Sequence, residues 1–387
     1  MNYLSKRVKN IIPSLSINTA EKVKELKSKG VNVLDFSWGE PDFPTPSHIK
    51  EAAERALKEN FTHYTESRGI KELREAIAEK LKKDNKIFVD PEKEIIVTPG
   101  AKQAIVYALL SILDTGDEAI ILEPCWLSYE DAIKIAGGIP VKVPSSIRNK
   151  FKITSSDLKK YITKRTKCLI FNNPVNPTGM VWRKEEIEEI NKVAIKYDLI
   201  VISDEIYEKI IFDNLEFFSV ASFPEMRERT ITVNGFSKAY AMTGWRIGYL
   251  SAPEKICKEI LKIHQHISTC ATSFAQKGAL AALKGPQKCV KEMVREYQKR
   301  RDLLLEGISQ NTKINLLKPE GTFYAFLDIR KLKLTSIEAA KFFLDKFFIS
   351  LIPGIAYGKS GEGFLRLSFA TSQKNIKEAL KRINKNL

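Results

Sequence analysis

Between residue 94 and about residue 250, the chain alternates short β-branched runs with stretches of helical periodicity. The runs EIIVTP, EAIIL, IPVKV, KCLIFNN, LIVISD, TITVNG and WRIGYLS are too short for helices, and most are apolar on both faces, as buried strands are. Seven such strands with helical patterns between them predict an α/β domain, built on a mostly parallel seven-stranded sheet with helices covering it. Upstream, a helix from Asn18 to about Ser28 precedes a strand-like VNVLDFSWG and the turn-rich GEPDFPTP. The next two segments, HIKEAAERALKEN and GIKELREAIAEKLKKDN, carry apolar residues at i, i+3 and i+4. After Gly285-Pro286 the pattern changes. A long charged helix (VKEMVREYQKRRDLLLEGI) leads to INLLKP, TFYAFLDI, a helix, FFISLIP, FLRLSFA and a last helix. The expected organisation is a large domain (46–285) and a smaller α+β domain (286–387) that the N-terminal segment (1–45) joins.

Composition narrows the class without identifying it. The 387 residues are 43% hydrophobic and 28% charged, which suffices for a sizeable core. No apolar run approaches the roughly 18–20 residues of a bilayer-spanning helix, so no membrane partner is expected. The basic N-terminus is broken by Pro13 and its neighbouring serines and makes a poor secretory signal. Five cysteines, an odd number with no C-x-x-C pair, argue against a disulfide framework, and the expected compartment is the reducing cytoplasm. The formal net charge of +16 invites a nucleic-acid reading. The lysines, however, are interleaved with acids in EKVKELKSKG and KEEIEEINK, as on solvated helix faces, and no nucleic-acid partner is expected. His264 and His266 diverge on a helix, so no metal site is expected. The stretch from Gly354 to Ser360 is one residue short of a P-loop, and a strand-like GEGFLRLSF follows it where that motif needs a helix.

Ligands of open α/β sheets bind outside the carboxyl ends of the strands, and polar residues cluster there in this chain. After EIIVTP, Gly100-Ala101-Lys102 opens a helix, a position suited to an anion. Trp126 follows EAIIL, and Asn176 lies in the turn PVNPTG after KCLIFNN. Asp204 ends the apolar LIVIS and is followed closely by Tyr207; a carboxylate buried at such a place must be paired or used. Ser237 and Lys238 follow TITVNG, with Arg246 eight residues on. A lysine at the end of a buried strand is a costly choice unless its amine is used covalently. An imine-forming lysine, a carboxylate for a ring nitrogen, an aromatic plate and an anion nest together match the needs of pyridoxal phosphate.

With these motifs, the chain resembles the class I pyridoxal-phosphate aminotransferases of fold type I, and within them the aspartate aminotransferase branch. The resemblance runs through GEPDFPTP, HYTESRGIKELREAI, TPGAKQA, NNPVNPTG, SDEIY, NGFSKAYAMTGWRIGY and FLRLSFA. It implies that Lys238 is the covalent attachment point of pyridoxal phosphate and the proton shuttle. It further implies that Asp204 holds the ring nitrogen protonated, and that Tyr207 and Asn176 bond the phenolic oxygen. Trp126 would stack on the ring. The phosphate would lie against Gly100, Ala101 and Lys102, beside Ser237 and Arg246, with Tyr64 reaching in from the second subunit of a homodimer. Arg366 would clamp the substrate α-carboxylate, with Gly39 and Asn176 beside it. The implied large domain is the cofactor-binding one. One departure is Gly235, where some members carry a phosphate-binding hydroxyl residue three before the lysine.

The implied reaction is ping-pong transfer of an amino group between an L-amino acid and a 2-oxo acid. Lys102 stands where similar acidic-substrate members also carry lysine, so L-aspartate with 2-oxoglutarate, giving oxaloacetate and L-glutamate, is the expected pair. An aromatic or broad-range aminotransferase is the main alternative, favoured by Trp38 and Trp126. A lyase of the same fold would need only altered proton control. A noncatalytic pyridoxal-phosphate-binding regulator would be expected to carry a further DNA-binding domain, and the presence of Lys238 favours an enzyme.

Overall fold

The computed structural model describes residues 3, 5, 9, 11 and 15–387, so most of the N-terminal segment before Leu15 lies outside the described residues. Its centre is a seven-stranded sheet in the order β2-β8-β7-β6-β5-β3-β4. These strands are β2 (Ile95–Thr98), β3 (Glu118–Leu122), β4 (Ile139–Val143), β5 (Thr166–Asn172), β6 (Ile200–Asp204), β7 (Thr230–Gly235) and β8 (Gly248–Ser251), with β1 (Leu34–Asp35) before them. Strands β3 to β7 are parallel to one another, whereas β8 runs antiparallel to both β7 and β2. This reversal matters for the site. Because β8 runs backwards, its beginning lies at the same edge as the ends of β2, β6 and β7. The central strands are buried along their length, as their β-branched composition requires.

The small-domain sheet is antiparallel, in the order β12-β13-β10-β9. Its strands are β9 (Asn315–Leu316), β10 (Tyr324–Asp328), β12 (Ile352–Pro353) and β13 (Phe364–Ser368). FFISLIP is split between two sheets, because β11 (Ile349–Ser350) pairs in parallel with β1 rather than with β12. The strand-like VNVLDFSWG contributes only the two residues of β1, and INLLKP only the two of β9. The helix read in GIKELREAIAEKLKKDN also has an internal change: regular α-helix from Lys71 to Lys80 gives way to a π-helical turn from Leu81 to Asn85. That turn carries Asn85 inward, where its amide donates to Glu205 and Glu208. A shared core (Phe36, Leu73, Ile210, Phe323, Leu327, Phe343 and Leu367) runs from the sheet into the small domain. Among the described residues, no helix is long and apolar enough to cross a membrane.

Candidate active site

A cavity of about 880 Å³ opens at the carboxyl edge of the large sheet, within the size range of small-molecule sites. Gly39, Ala101, Lys102, Trp126, Asn176, Asp204, Tyr207, Ser237, Lys238, Arg246 and Arg366 all line it. Gly100 lies behind this lining. It takes the left-handed φ of +88° that starts the helix Ala101–Ile112, and a Cβ there would sit 2.5 Å from Arg246 Nη2. Tyr64 is the exception among the expected residues. It is 84% exposed and does not reach the cavity of its own chain.

The floor of the cavity is built by two strand ends. Asp204, buried at the end of β6, accepts a bond from Tyr129 Oη at 2.6 Å and one from Ile206 N–H at 3.2 Å. Burial pushes its carboxyl up, against those two donors and the nearby Lys238 ammonium. On the neighbouring strand, Asn172 donates to Asp204 O at 2.9 Å and accepts Asn176 N–H at 2.9 Å, so the turn carrying Asn176 is tied to the Asp204 strand. Lys238 donates to Gly39 O from a part-buried position. Desolvation lowers its amine to about 8; Arg366 and Arg246 push it the same way, and Glu40 and Asp204 oppose them. Tyr207 Oη lies 3.0 Å from Tyr324 Oη, and burial raises both phenols.

Arg366 reaches the cavity from β13 of the small domain. It is 4% exposed, with its guanidinium 4.4 Å from the Tyr324 ring and 5.2 Å from the Tyr357 ring. Nη2 donates to Ser37 O at 2.6 Å and Nη1 to Asn176 Oδ1 at 3.4 Å, while buried Nε has no partner. Among the described residues no carboxylate pairs with this guanidinium, and no cation forms an ion pair with Asp204. Two buried charges of opposite sign therefore face one cavity without ionic partners, which is costly unless a ligand completes them.

At the opposite wall, Lys102 lies 4.8 Å over the Trp126 ring, with burial and Arg246 both lowering its amine. Arg246 has a left-handed φ of +50° and donates to Thr243 O at 2.8 Å. The departure at Gly235 has a steric reason. It pairs with Gly248 across β7 and β8, and a Cβ on it would lie 3.0 Å from Gly248 Cα and 3.3 Å from Ile206 Cδ1. A hydroxyl residue would crowd the close approach that brings Gly248 against Gly100 and Ala101.

Sequence reasoning missed Tyr129, Asn172, Ser37 and Tyr324. Tyr129 sits on a helix with no local sign of its aim, and Ser37 contributes only a backbone carbonyl. Asn172 had a usable signal, since it is an amide ending an apolar strand beside Asp204.

The chain matches the family model for aminotransferase class I and II over residues 31–383. It is 45% identical to an aspartate aminotransferase of Pyrococcus abyssi, across 95% of this chain and 96% of that one. It is 40% identical to aromatic-amino-acid aminotransferase 2 of Thermococcus litoralis, across 99% and 97% of the two chains. Among solved structures, aspartate aminotransferase from Thermus thermophilus with maleate superposes at a TM-score of 0.95, with 39% identity and all of both chains covered.

Proposed function

Given that the chain belongs to the class I and II aminotransferases, and so is an aminotransferase, we propose that its cavity moves an amino group from L-aspartate to 2-oxoglutarate with pyridoxal phosphate as cofactor. The observation that carries this reading is the pair of buried charges without ionic partners, Asp204 and Arg366, lining one cavity with Lys238.

The donor set fits the cofactor. Asp204 lacks a cationic partner and suits a protonated ring nitrogen, and Tyr129 holds its other oxygen in place. Ala101 and Lys102 at the helix start, with Gly100 behind them and Ser237 and Arg246 alongside, form a cationic nest for the phosphate. Trp126 would offer a face to the ring, and Tyr207 and Asn176, which line the same cavity, would bond the phenolic oxygen. When bound, pyridoxal phosphate supplies an aldehyde that captures amines and a ring that accepts the electron pair released at the substrate's Cα.

Each step falls to side chains of this protein. Arg366 takes the α-carboxylate in a two-point grip, steadied by Asn176 and the Gly39 backbone. Lys238 Nζ, with its amine near 8, is unprotonated in a sizeable fraction of molecules at neutral pH and would take up and return the proton at the substrate's Cα. Asp204 would hold a protonated ring nitrogen, with Tyr129 and the Ile206 amide fixing its two oxygens. Lys102 Nζ receives the distal carboxylate of aspartate. Residues 46–285 carry the cofactor, and 1–45 with 286–387 bring the α-carboxylate grip. The working unit is a homodimer in the cytoplasm, in which exposed Tyr64 completes the phosphate nest of the second subunit.

A second reading, an aromatic or broad-range donor, is favoured by Trp38 and Trp126 in the cavity lining. Single-turnover spectra of the holoenzyme with a panel of amino acids test both. Bleaching of the cofactor band by aspartate, reversed by 2-oxoglutarate, is the expected result. Faster bleaching by tyrosine or phenylalanine would move the substrate assignment, and no bleaching by any amino acid would overturn the reading.

A further inference from the structure

The segment after β1 touches two cations of the site and reaches a third through Thr243, and a side chain outside the proposed machinery gives it its shape. The strand is anchored to the small domain: Leu34 N–H donates to Phe348 O at 2.8 Å, Phe36 N–H to Ser350 O at 3.0 Å, and Ser368 N–H to Phe36 O at 2.9 Å. Beyond Phe36 the chain leaves the ladder, and Asp35 takes over. Its Oδ1 accepts Ser37 N–H at 3.0 Å and Ser37 Oγ at 2.6 Å, and its Oδ2 accepts Trp38 Nε1 at 2.8 Å. An aspartate that bonds the amide two residues on closes a turn; here two side-chain donors tie down both of its oxygens as well.

The turn so held faces the site along its length. Ser37 O receives Arg366 Nη2 at 2.6 Å, and Gly39 O receives Lys238 Nζ. Glu40 Oε2 accepts Thr243 Oγ1 at 2.9 Å, and the Thr243 carbonyl receives Arg246 Nη1. Trp38, 55% exposed, stands in the cavity lining with its indole nitrogen pinned.

We propose that Asp35 is a positioning residue for the amino acid substrate: through the Ser37–Trp38 turn it fixes the Arg366 guanidinium and holds Trp38 as a wall of the side-chain subsite. This rests on the reading of Arg366 as the α-carboxylate grip. The guanidinium lies over Tyr324 and Tyr357, contacts that carry no directed hydrogen bond to fix its plane. Its firmest directional bond is the one to Ser37 O, because the contact to Asn176 is long. Loosening the turn lets that plane swing, so the two-point grip forms only part of the time and binding weakens. Proton movement at Lys238 is untouched once the substrate is seated. The signature is a raised KM at nearly constant kcat.

Steady-state kinetics of the holoenzyme, with L-aspartate and L-tyrosine as parallel donors, test this. Asp35→Ala should raise KM about tenfold for both donors, the size of one lost directed contact, with kcat within about threefold and an unchanged cofactor band and thermal midpoint. Asp35→Asn keeps an oxygen for Ser37 and should recover most of the KM. In an Arg366→Lys background, Asp35→Ala should add less than about threefold, because both changes act on one contact. The role of Asp35 is overturned if KM stays within about twofold of the parent, if kcat falls in step with it, or if the full effect adds to Arg366→Lys. If Arg366→Lys itself leaves KM unmoved, the grip assignment fails and takes this role with it. If Arg366→Lys raises KM while Asp35→Ala does not, only the role of Asp35 fails.

Discussion

Lys238 should react as an amine with a pKa near 8 rather than its ordinary 10.5, and the consequence can be read in the protein stripped of cofactor. At pH 7 an amine at 8 is about one-eleventh unprotonated, against about one part in 3000 for a surface lysine, an advantage of roughly 300-fold in available nucleophile. Trapping with pyridoxal phosphate and borohydride, followed by peptide mapping, measures the rate at each pH. Labelling at Lys238 should rise about tenfold per pH unit up to about pH 8 and then flatten, while surface lysines keep rising towards pH 10. The same shift has a stability counterpart. A lysine with a depressed folded pKa stabilises the fold above its unfolded pKa, and that stability is lost as pH falls through about 8. Near pH 7 the charged, poorly solvated ammonium should cost the cofactor-free protein up to about 3 kcal/mol. Cofactor-free Lys238→Met should therefore be more stable than the parent by up to about 3 kcal/mol below pH 7 in urea unfolding, with the gap closing above pH 10. Labelling at Lys238 that climbs in parallel with surface lysines beyond pH 9.5 would refute the desolvation reasoning. A label on Lys102 would refute the attachment site itself.

Two further outcomes concern the site and a third the buried acid next to Asp204 in the chain. Asp204→Ala should lower kcat by at least about a thousandfold while the thermal midpoint of the cofactor-free protein holds, and near-parental turnover would remove Asp204 from the chemistry. Lys102→Ala should cut kcat/KM for aspartate by about 10- to 30-fold more than for tyrosine, as expected for loss of one carboxylate contact, and an equal loss for both donors would reassign Lys102 to the phosphate alone. Glu205, fully buried beside Glu208, has its carboxyl raised to about 7 by desolvation and that neighbour. Its contribution to stability is therefore complete below about 4.5 and lost as pH rises through about 7, a swing on the order of 3 kcal/mol. Glu205→Gln should flatten the pH dependence of urea midpoints between pH 5 and 8, and a slope that survives the substitution would place the titration elsewhere.

Those residues were not equally visible in the chain. Asp204, Lys238 and Asn176 could be read because each follows a short apolar strand, and a parallel sheet brings the ends of such strands to one edge whatever the details of packing. Arg246 was read from its place in the lysine motif NGFSKAYAMTGWRIGY, whereas what brings it to the site, a strand that runs backwards so that its beginning meets the ends of the others, is set only by the folded sheet. The steric cause of Gly235 was not legible, because it depends on Gly248 lying opposite, a register that only the folded sheet sets. The π-helical turn from Leu81 to Asn85 was hidden for the same kind of reason. LKKDN continues the helical pattern, and what bends it inward is the buried pair Glu205 and Glu208 waiting for Asn85, more than a hundred residues away. Asp35 was masked by its setting, an acid inside a strand-like run whose partners Ser37 and Trp38 signal nothing until the turn forms.

The shifts at the site share one origin. The same desolvation drives Lys238 down and Asp204 up, so burial moves both groups towards their neutral forms even though their mutual attraction favours the charged ones. Arg366 has no such escape, since a guanidinium stays charged, and its buried Nε lacks a partner. A ligand that brings a cationic N–H to Asp204 and anions to Arg366 and the Lys102–Arg246 wall would relieve these costs together. Binding free energy at this cavity is then partly recovered folding free energy, and cofactor should raise the unfolding midpoint in proportion to the logarithm of its concentration above Kd. The residues whose burial is costly are the ones proposed to do the chemistry, and a variant that relieves that cost at Lys238 should for that reason be the one that cofactor no longer stabilises covalently.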